Sequence, residues 1–256
     1  MPVDLSRSGI ITRTAIANQQ LPKAMTEVQQ FSLFDNSDIE QTPSLTESEF
    51  DLIPTDANIP IPQNTYQNLE QLTNHCQQCQ RCELSLSRTN VVVGRGNHQA
   101  DIMVIGEGPG QQEDETGLPF VGKSGQLLEK ILASVKLDTE QDIYIANVVK
   151  CRPPGNRTPV AKEIESCTPY LLEQIRLIDP KIILFTGATA LKALTGEKRG
   201  ITKVRGQWLE WQGRACMAIF HPAYLLRNPS REKGKPKWLM WQDIQNVAQK
   251  LTELRN

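Results

Sequence analysis

Four short, largely apolar runs, 102–105, 143–149, 181–186 and 215–220, alternate with segments whose apolar residues recur at helical spacing, 125–135, 160–177, 189–195 and 238–254. Apolar strands separated by helices are buried on both faces and pair in parallel through right-handed crossovers. The alternation therefore predicts an α/β fold, a three-layer α/β/α sandwich around a central four-stranded parallel sheet. The first run ends in a glycine-rich turn, Ile102-Met103-Val104-Ile105-Gly106-Glu107-Gly108-Pro109-Gly110. Open parallel sheets bind their ligands beyond the carboxyl ends of the strands. The glycine-punctuated loop from Gly106 to Gly125 is thus the candidate binding site.

Charge is distributed unevenly along the 256 residues. The formal total is −1, but residues 1–75 hold ten acids against three bases, and residues 76–256 hold 19 against 25. Within 192–237 there are eleven Lys and Arg against three Asp and Glu, a local excess that suits a phosphate-rich partner. Residues 1–65 are rich in Gln, Ser, Thr, Asn, Asp and Pro without apolar periodicity, a composition that cannot offset chain entropy. They are expected to form a disordered acidic arm, able to bind a protein partner, ahead of one domain over 66–256, with Ile59-Pro60-Ile61-Pro62 as the boundary. No run approaches the roughly 18–20 apolar residues of a membrane span. Without a signal-peptide pattern the expected location is cytoplasmic and reducing.

There, six cysteines read as metal ligands or free thiols rather than disulfides. Cys76, Cys79 and Cys82 are spaced three apart, and Cys151 and Cys167 follow downstream. A CxxC turn presents two thiolates to one centre, and two more complete a four-thiolate site that zinc and a [4Fe-4S] cluster both satisfy. Only two of the first three cysteines are needed. Cys216, inside an apolar run, reads as a core thiol.

Four ordered motifs carry a family resemblance over roughly 76–250: Gly106-Glu107-Gly108-Pro109-Gly110 with Glu113-Asp114; Gly117-Leu118-Pro119-Phe120-Val121-Gly122; Asn147-Val148-Val149-Lys150-Cys151-Arg152-Pro153-Pro154; and His221-Pro222-Ala223-Tyr224-Leu225-Leu226-Arg227-Asn228-Pro229. Together they resemble the family-4-type iron–sulfur uracil-DNA glycosylases. The resemblance implies a [4Fe-4S] cluster, and its CxxC-Leu-Arg-Thr frame matches Cys79 to Thr89. Cys79, Cys82, Cys151 and Cys167 are then the ligands and Cys76 is extra, with a register through Cys76 and Cys79 as the alternative. It implies a monomeric repair enzyme that flips uracil from single- or double-stranded DNA and cuts its glycosidic bond. Other readings are a glycosylase for other deaminated bases and a catalytically weak DNA-binding module.

The same resemblance assigns roles. Phe120 stacks on the flipped base, Asn147 reads the uracil edge, and His221 hydrogen-bonds the departing O2. Gly106 and Gly108 shape the loop. Better-known uracil glycosylases carry Gly-Gln-Asp-Pro-Tyr here, so Glu107 falls at the Gln and Gly108 at the Asp. Glu107 is expected to position water or support the sugar cation, with Glu113 and Asp114 in reserve. Leu225 takes the position of the wedge that enters the duplex, with Arg227 as its rival.

Overall fold

The computed structural model describes residues 45–256. Its centre is a six-stranded sheet, built of β1 (Arg95–Gly96), β2 (Ile102–Gly106), β3 (Ile143–Asn147), β4 (Ile182–Thr186), β5 (Trp208–Trp211) and β6 (Arg214–Ile219). The strand order is β1-β3-β2-β4-β6-β5. The four expected strands form the parallel centre, β3-β2-β4-β6. The strand count is corrected from four to six, because β1 and β5 add antiparallel edges. Neither edge has the continuous apolar run that marks a buried strand. β5 alternates exposed and half-buried residues, and it turns into β6 through Gln212 and Gly213, both at positive φ as a tight hairpin requires.

Side chains alternate across the central strands, and each face has its own apolar layer. Met103, Ile105, Ile183 and Phe185 pack on one side with residues of α5 (Ala161–Ile178) and α6 (Ala188–Thr195). Ile102, Val104, Ile182 and Leu184 pack on the other side. That second layer is closed by α4 (Lys123–Ala133), α8 (Pro222–Arg227) and α9 (Pro236–Arg255), the last burying Met240, Ile244, Val247 and Leu251 at helical spacing. Each such burial contributes about 1.5–3 kcal/mol. The three-layer sandwich is therefore present.

Because β3 and β4 flank β2 on opposite sides, the chain leaves the carboxyl ends of β2 and β4 in diverging directions. A crevice opens at such a switch point. The short α3 (Gln111–Thr116) and α7 (Ile201–Val204) complete the body.

The expected start of the folded part at residue 66 is too late. Helix α1 (Glu47–Leu52) begins at a capping box in which Thr46 and Glu49 satisfy each other's backbone N–H groups. Ile53 is fully buried. Arg81 donates to the carbonyls of Ile53, Asp56 and Ile59 at 2.8–2.9 Å, and Glu173 of α5 accepts from the amides of Asn64 and Tyr66 at 3.0 and 3.1 Å. These hydrogen bonds act together with scattered apolar residues, Leu45, Phe50, Ile53, Ile59 and Ile61, that pack around Tyr66 and Tyr170 without helical or strand spacing, which is why composition hid the segment. The remainder of the expected arm, 1–44, lies outside the described residues.

Candidate active site and cysteine pocket

At the switch point a cleft of about 960 Å³ is lined by Glu107, Phe120, Asn147, Thr189, His221 and Arg227, among others. Register places Asn147 directly opposite Gly106 at the ends of β3 and β2. The Asn147 side chain is 1% exposed, and its Oδ1 has no hydrogen-bond partner among the described residues. A buried amide oxygen left open is costly unless a ligand completes it. A Cβ on Gly106 would sit 2.3 Å from that oxygen and 2.7 Å from the Phe120 ring, so the close approach of the three residues needs glycine.

Phe120 holds φ 54°, the left-handed region that a non-glycine residue enters at a cost of about 1–3 kcal/mol. The surroundings enforce it. Arg95 donates to the carbonyls of Pro119 (2.8 Å) and Phe120 (3.3 Å) and pairs with Glu129. Gly125 packs so tightly on the Phe120 carbonyl that a Cβ there would approach within 1.8 Å. Glu113 accepts from Val121 N (3.0 Å) and Gly122 N (2.8 Å) with one oxygen and from Gly110 N (3.1 Å) with the other. A single carboxylate thereby clamps both ends of the loop. Asp114 accepts from Thr89 N and Asn90 N at 2.8 and 3.2 Å. Both reserve carboxylates are thus engaged by backbone amides.

His221 caps α8, and its Nδ1 accepts from Ala223 N at 3.2 Å. That bond requires the proton to sit on Nε2. Burial, reinforced by the Arg227 charge and opposed by Glu113, pushes the imidazole down to about 4. It is a neutral donor at physiological pH, with its ring 6.0 Å from that of Phe120. Glu107 accepts from Thr189 Oγ1 at 2.5 Å, a bond that spans the switch point from β2 to α6. Thr189 was not anticipated, since nothing at the start of an apolar helix marks it. At Gly108 a Cβ would lie 2.8 Å from Val149 Cγ2, so close packing accompanies the missing aspartate.

The wedge assignment changes. Leu225 is 0% exposed and belongs to the core beneath α8, whereas Leu226 is 44% exposed beside Arg227. Adjacent residues on a helix lie about 100° apart, and here Leu225 faces the core while Leu226 faces outward. Of the basic residues within 192–237, Arg199, Arg205 and Arg214 pair with Glu197, Asp243 and Asp179. The remaining bases supply the positive surface.

Behind the cleft lies a second pocket, lined by Cys76, Cys79, Cys82, Cys151 and Cys167 with apolar walls that include Leu84, Val91 and Val149. Cys76 ends α2 (Leu69–Gln77) and is buried. Burial raises the thiols of Cys76 and Cys82 and pushes Cys151 to about 11 and Cys167 to about 12. Arg88 Nη1 approaches Cys151 Sγ at 3.4 Å, and Lys150 N donates to Cys167 Sγ at 3.3 Å. Among the described residues no three His, Cys, Asp or Glu side chains converge on a single metal ion. A thiol-lined chamber with amide and guanidinium donors to sulfur fits the chemistry of a polynuclear cluster. Cys216 is a core thiol. Among the described residues no helix is long and apolar enough to cross a membrane.

The description "Uracil DNA glycosylase superfamily" belongs to the family profile that matches residues 93–245. The chain is 49% identical over 166 residues to the Type-4 uracil-DNA glycosylase of Thermotoga maritima, covering 64% of this chain and 86% of that protein. To the Type-4 enzyme of Saccharolobus solfataricus it is 38% identical over 193 residues, 72% and 87% of the two chains. A Type-5 uracil-DNA glycosylase of Pyrobaculum aerophilum is 29% identical over 152 residues, 53% and 67%. With the sheet, the cleft and these relatives in agreement, the chain belongs to the uracil-DNA glycosylase superfamily.

Proposed function

We propose that this protein flips uracil out of DNA and hydrolyses its N-glycosidic bond, leaving an abasic site for base excision repair. The observation that carries the reading is the buried, unpartnered Oδ1 of Asn147 at the floor of the cleft. An amide offers Oδ1 to uracil N3–H and Nδ2 to O4, a pairing that the exocyclic amine of cytosine does not match. Stacking on Phe120 and these bonds offset the few kcal/mol of extracting the base.

Cleavage sends the C1′–N1 electron pair onto the base, and charge accumulates at O2. His221, neutral and protonated on Nε2, donates there without having to lose a proton first. Glu107, steadied by Thr189, orients the water whose oxygen joins C1′ and faces the sugar cation with negative charge. Leu226, beside Arg227, fills the gap in the duplex, and the unpaired bases after 192 meet phosphates, so binding weakens steeply with salt.

Cys79, Cys82, Cys151 and Cys167 would hold a [4Fe-4S] cluster, with Cys76 the fifth thiol of the same pocket. When bound, the group supplies a cross-link between the turn after α2, the loop after β3 and α5. No electron transfer is required by the hydrolysis. We further infer a monomer acting on single- or double-stranded DNA within the cell. The test is a single-uracil oligonucleotide incubated with iron-replete protein and treated with alkali. Strand cleavage at the uracil is expected, and intact strands of both forms would overturn the assignment.

A further inference from the structure

Lys150 is the one fully buried lysine among the described residues, 1% exposed, and the chemistry above gives it no task. Its Nζ donates to the backbone carbonyl of Asn147 at 2.7 Å. It also lines the cysteine pocket, and it has no carboxylate partner among the described residues. A buried ammonium without a counter-charge costs several kcal/mol. The groups beside it that can carry negative charge are thiols, once metal binding has removed their protons.

The backbone between the two pockets is pinned along its length. Val148 N and Val149 N donate to the carbonyls of Gly106 and Glu107 at 2.9 and 3.3 Å, and Lys150 O accepts from Val92 N at 2.8 Å. Asn147 itself is held from the pocket side through its carbonyl, while its side chain is free to face the cleft.

We propose that Lys150 is a positioning residue that ties the base-reading Asn147 to the metal-loaded cysteine pocket, its ammonium balancing the thiolates and fixing the Asn147 carbonyl. This rests on the cofactor reading given above. A displacement of about 1 Å at a reacting centre is enough to cost about 10²-fold in rate.

Two variants of the iron-replete protein test it, Lys150→Met, which keeps length without charge, and Lys150→Arg, which keeps charge. Removing a positive neighbour disfavours the added electron, so Lys150→Met should shift the cluster's midpoint potential to more negative values. It should also lower kcat on a single-uracil oligonucleotide by about 10²-fold with little change in KM, and Lys150→Arg should restore the potential. A potential or a kcat that Lys150→Met leaves unmoved overturns the proposal. Should the methionine variant not fold, amide exchange of the native protein before and after oxidative removal of the cluster decides. Faster exchange at Val148 and Val149 supports the tie, and unchanged exchange overturns it. Wild-type protein without iron or visible absorption overturns the cofactor reading and this one together. Iron-containing protein that leaves uracil in place overturns the proposed activity alone, since potential and exchange still judge Lys150.

Discussion

The cleft and the cysteine pocket lie at the two ends of one five-residue stretch, Asn147 to Cys151, and they are built on opposite principles. In the cleft the protein satisfies its own polar groups: Glu113 by three amides, Glu107 by Thr189, His221 by Ala223 N, and the Phe120 carbonyl by Arg95. One acceptor, Asn147 Oδ1, is left for a visitor. In the cysteine pocket burial pushes up the thiols of Cys76, Cys82, Cys151 and Cys167, and Lys150 has no carboxylate partner among the described residues. A site meant for a transient ligand is preorganised, because reorganisation during the reaction would add to the barrier. A site meant for a permanent group can leave its charges for that group to balance.

Substitutions can break this contrast. Cys151→Ala should have the largest effect, since it removes one of the thiols proposed to hold the [4Fe-4S] cluster. Loss of iron, loss of visible absorption and loss of cooperative melting are expected, read by metal analysis and circular dichroism. Melting and iron content equal to wild type would show that the pocket is self-sufficient like the cleft. Gly106→Ala places a methyl against Asn147 Oδ1 and the Phe120 ring. A fall of about 10²-fold in kcat/KM is expected from such misplacement, with iron content unchanged. Phe120→Ala removes the proposed stacking face, worth about 1–3 kcal/mol per base, and should weaken binding of a uracil oligonucleotide by a corresponding factor.

The pH profile sharpens the account of the cleft. In the proposed mechanism neutral His221 donates to O2, and with its pKa held at about 4 the acid limb of kcat/KM attributable to it should lie near pH 4 rather than 6.5. Arg227→Ala removes the second cause of the depression and should move that limb to higher pH. The linked stability has the same sign. The unfolded chain binds the proton at higher pH, so the contribution is complete above about 6.5 and declines as pH falls toward 4.

Smallest is the effect of the adjacent leucines on excision. Leu225→Ala should lower stability by about 2–5 kcal/mol, as a buried truncation does. Leu226→Ala should leave melting unchanged and slow excision several-fold from duplex but not single-stranded substrate.

Those leucines show what a sequence conceals. The four parallel strands and the four long helices were legible, because burial on two faces enforces continuous apolar runs, and the cleft that holds Asn147, Phe120 and His221 sits at the ends of those runs. Leu225 was misassigned because motif position carries no information about which of two neighbours faces the core. The edge strands and α1 escaped notice for a different reason. Half-exposed strands lack an apolar run, and the segment 45–65 is held by backbone bonds from Arg81 and to Glu173, which no side-chain pattern marks, and by apolar residues too scattered to read as a periodicity. Thr189 meets Glu107 across a tertiary contact, invisible until the strands are in register.

Single-turnover excision from a single-uracil oligonucleotide, compared between the wild-type protein and Asn147→Asp, tests the central claim most directly. A carboxylate cannot donate to O4. The wild type should yield alkali-labile sites at the uracil, and the variant, with unchanged melting and iron content, should do so slower by about 10²- to 10³-fold, the effect of losing one aimed donor. Equal rates, or no product from either protein, would contradict the assignment of this cleft as the uracil site.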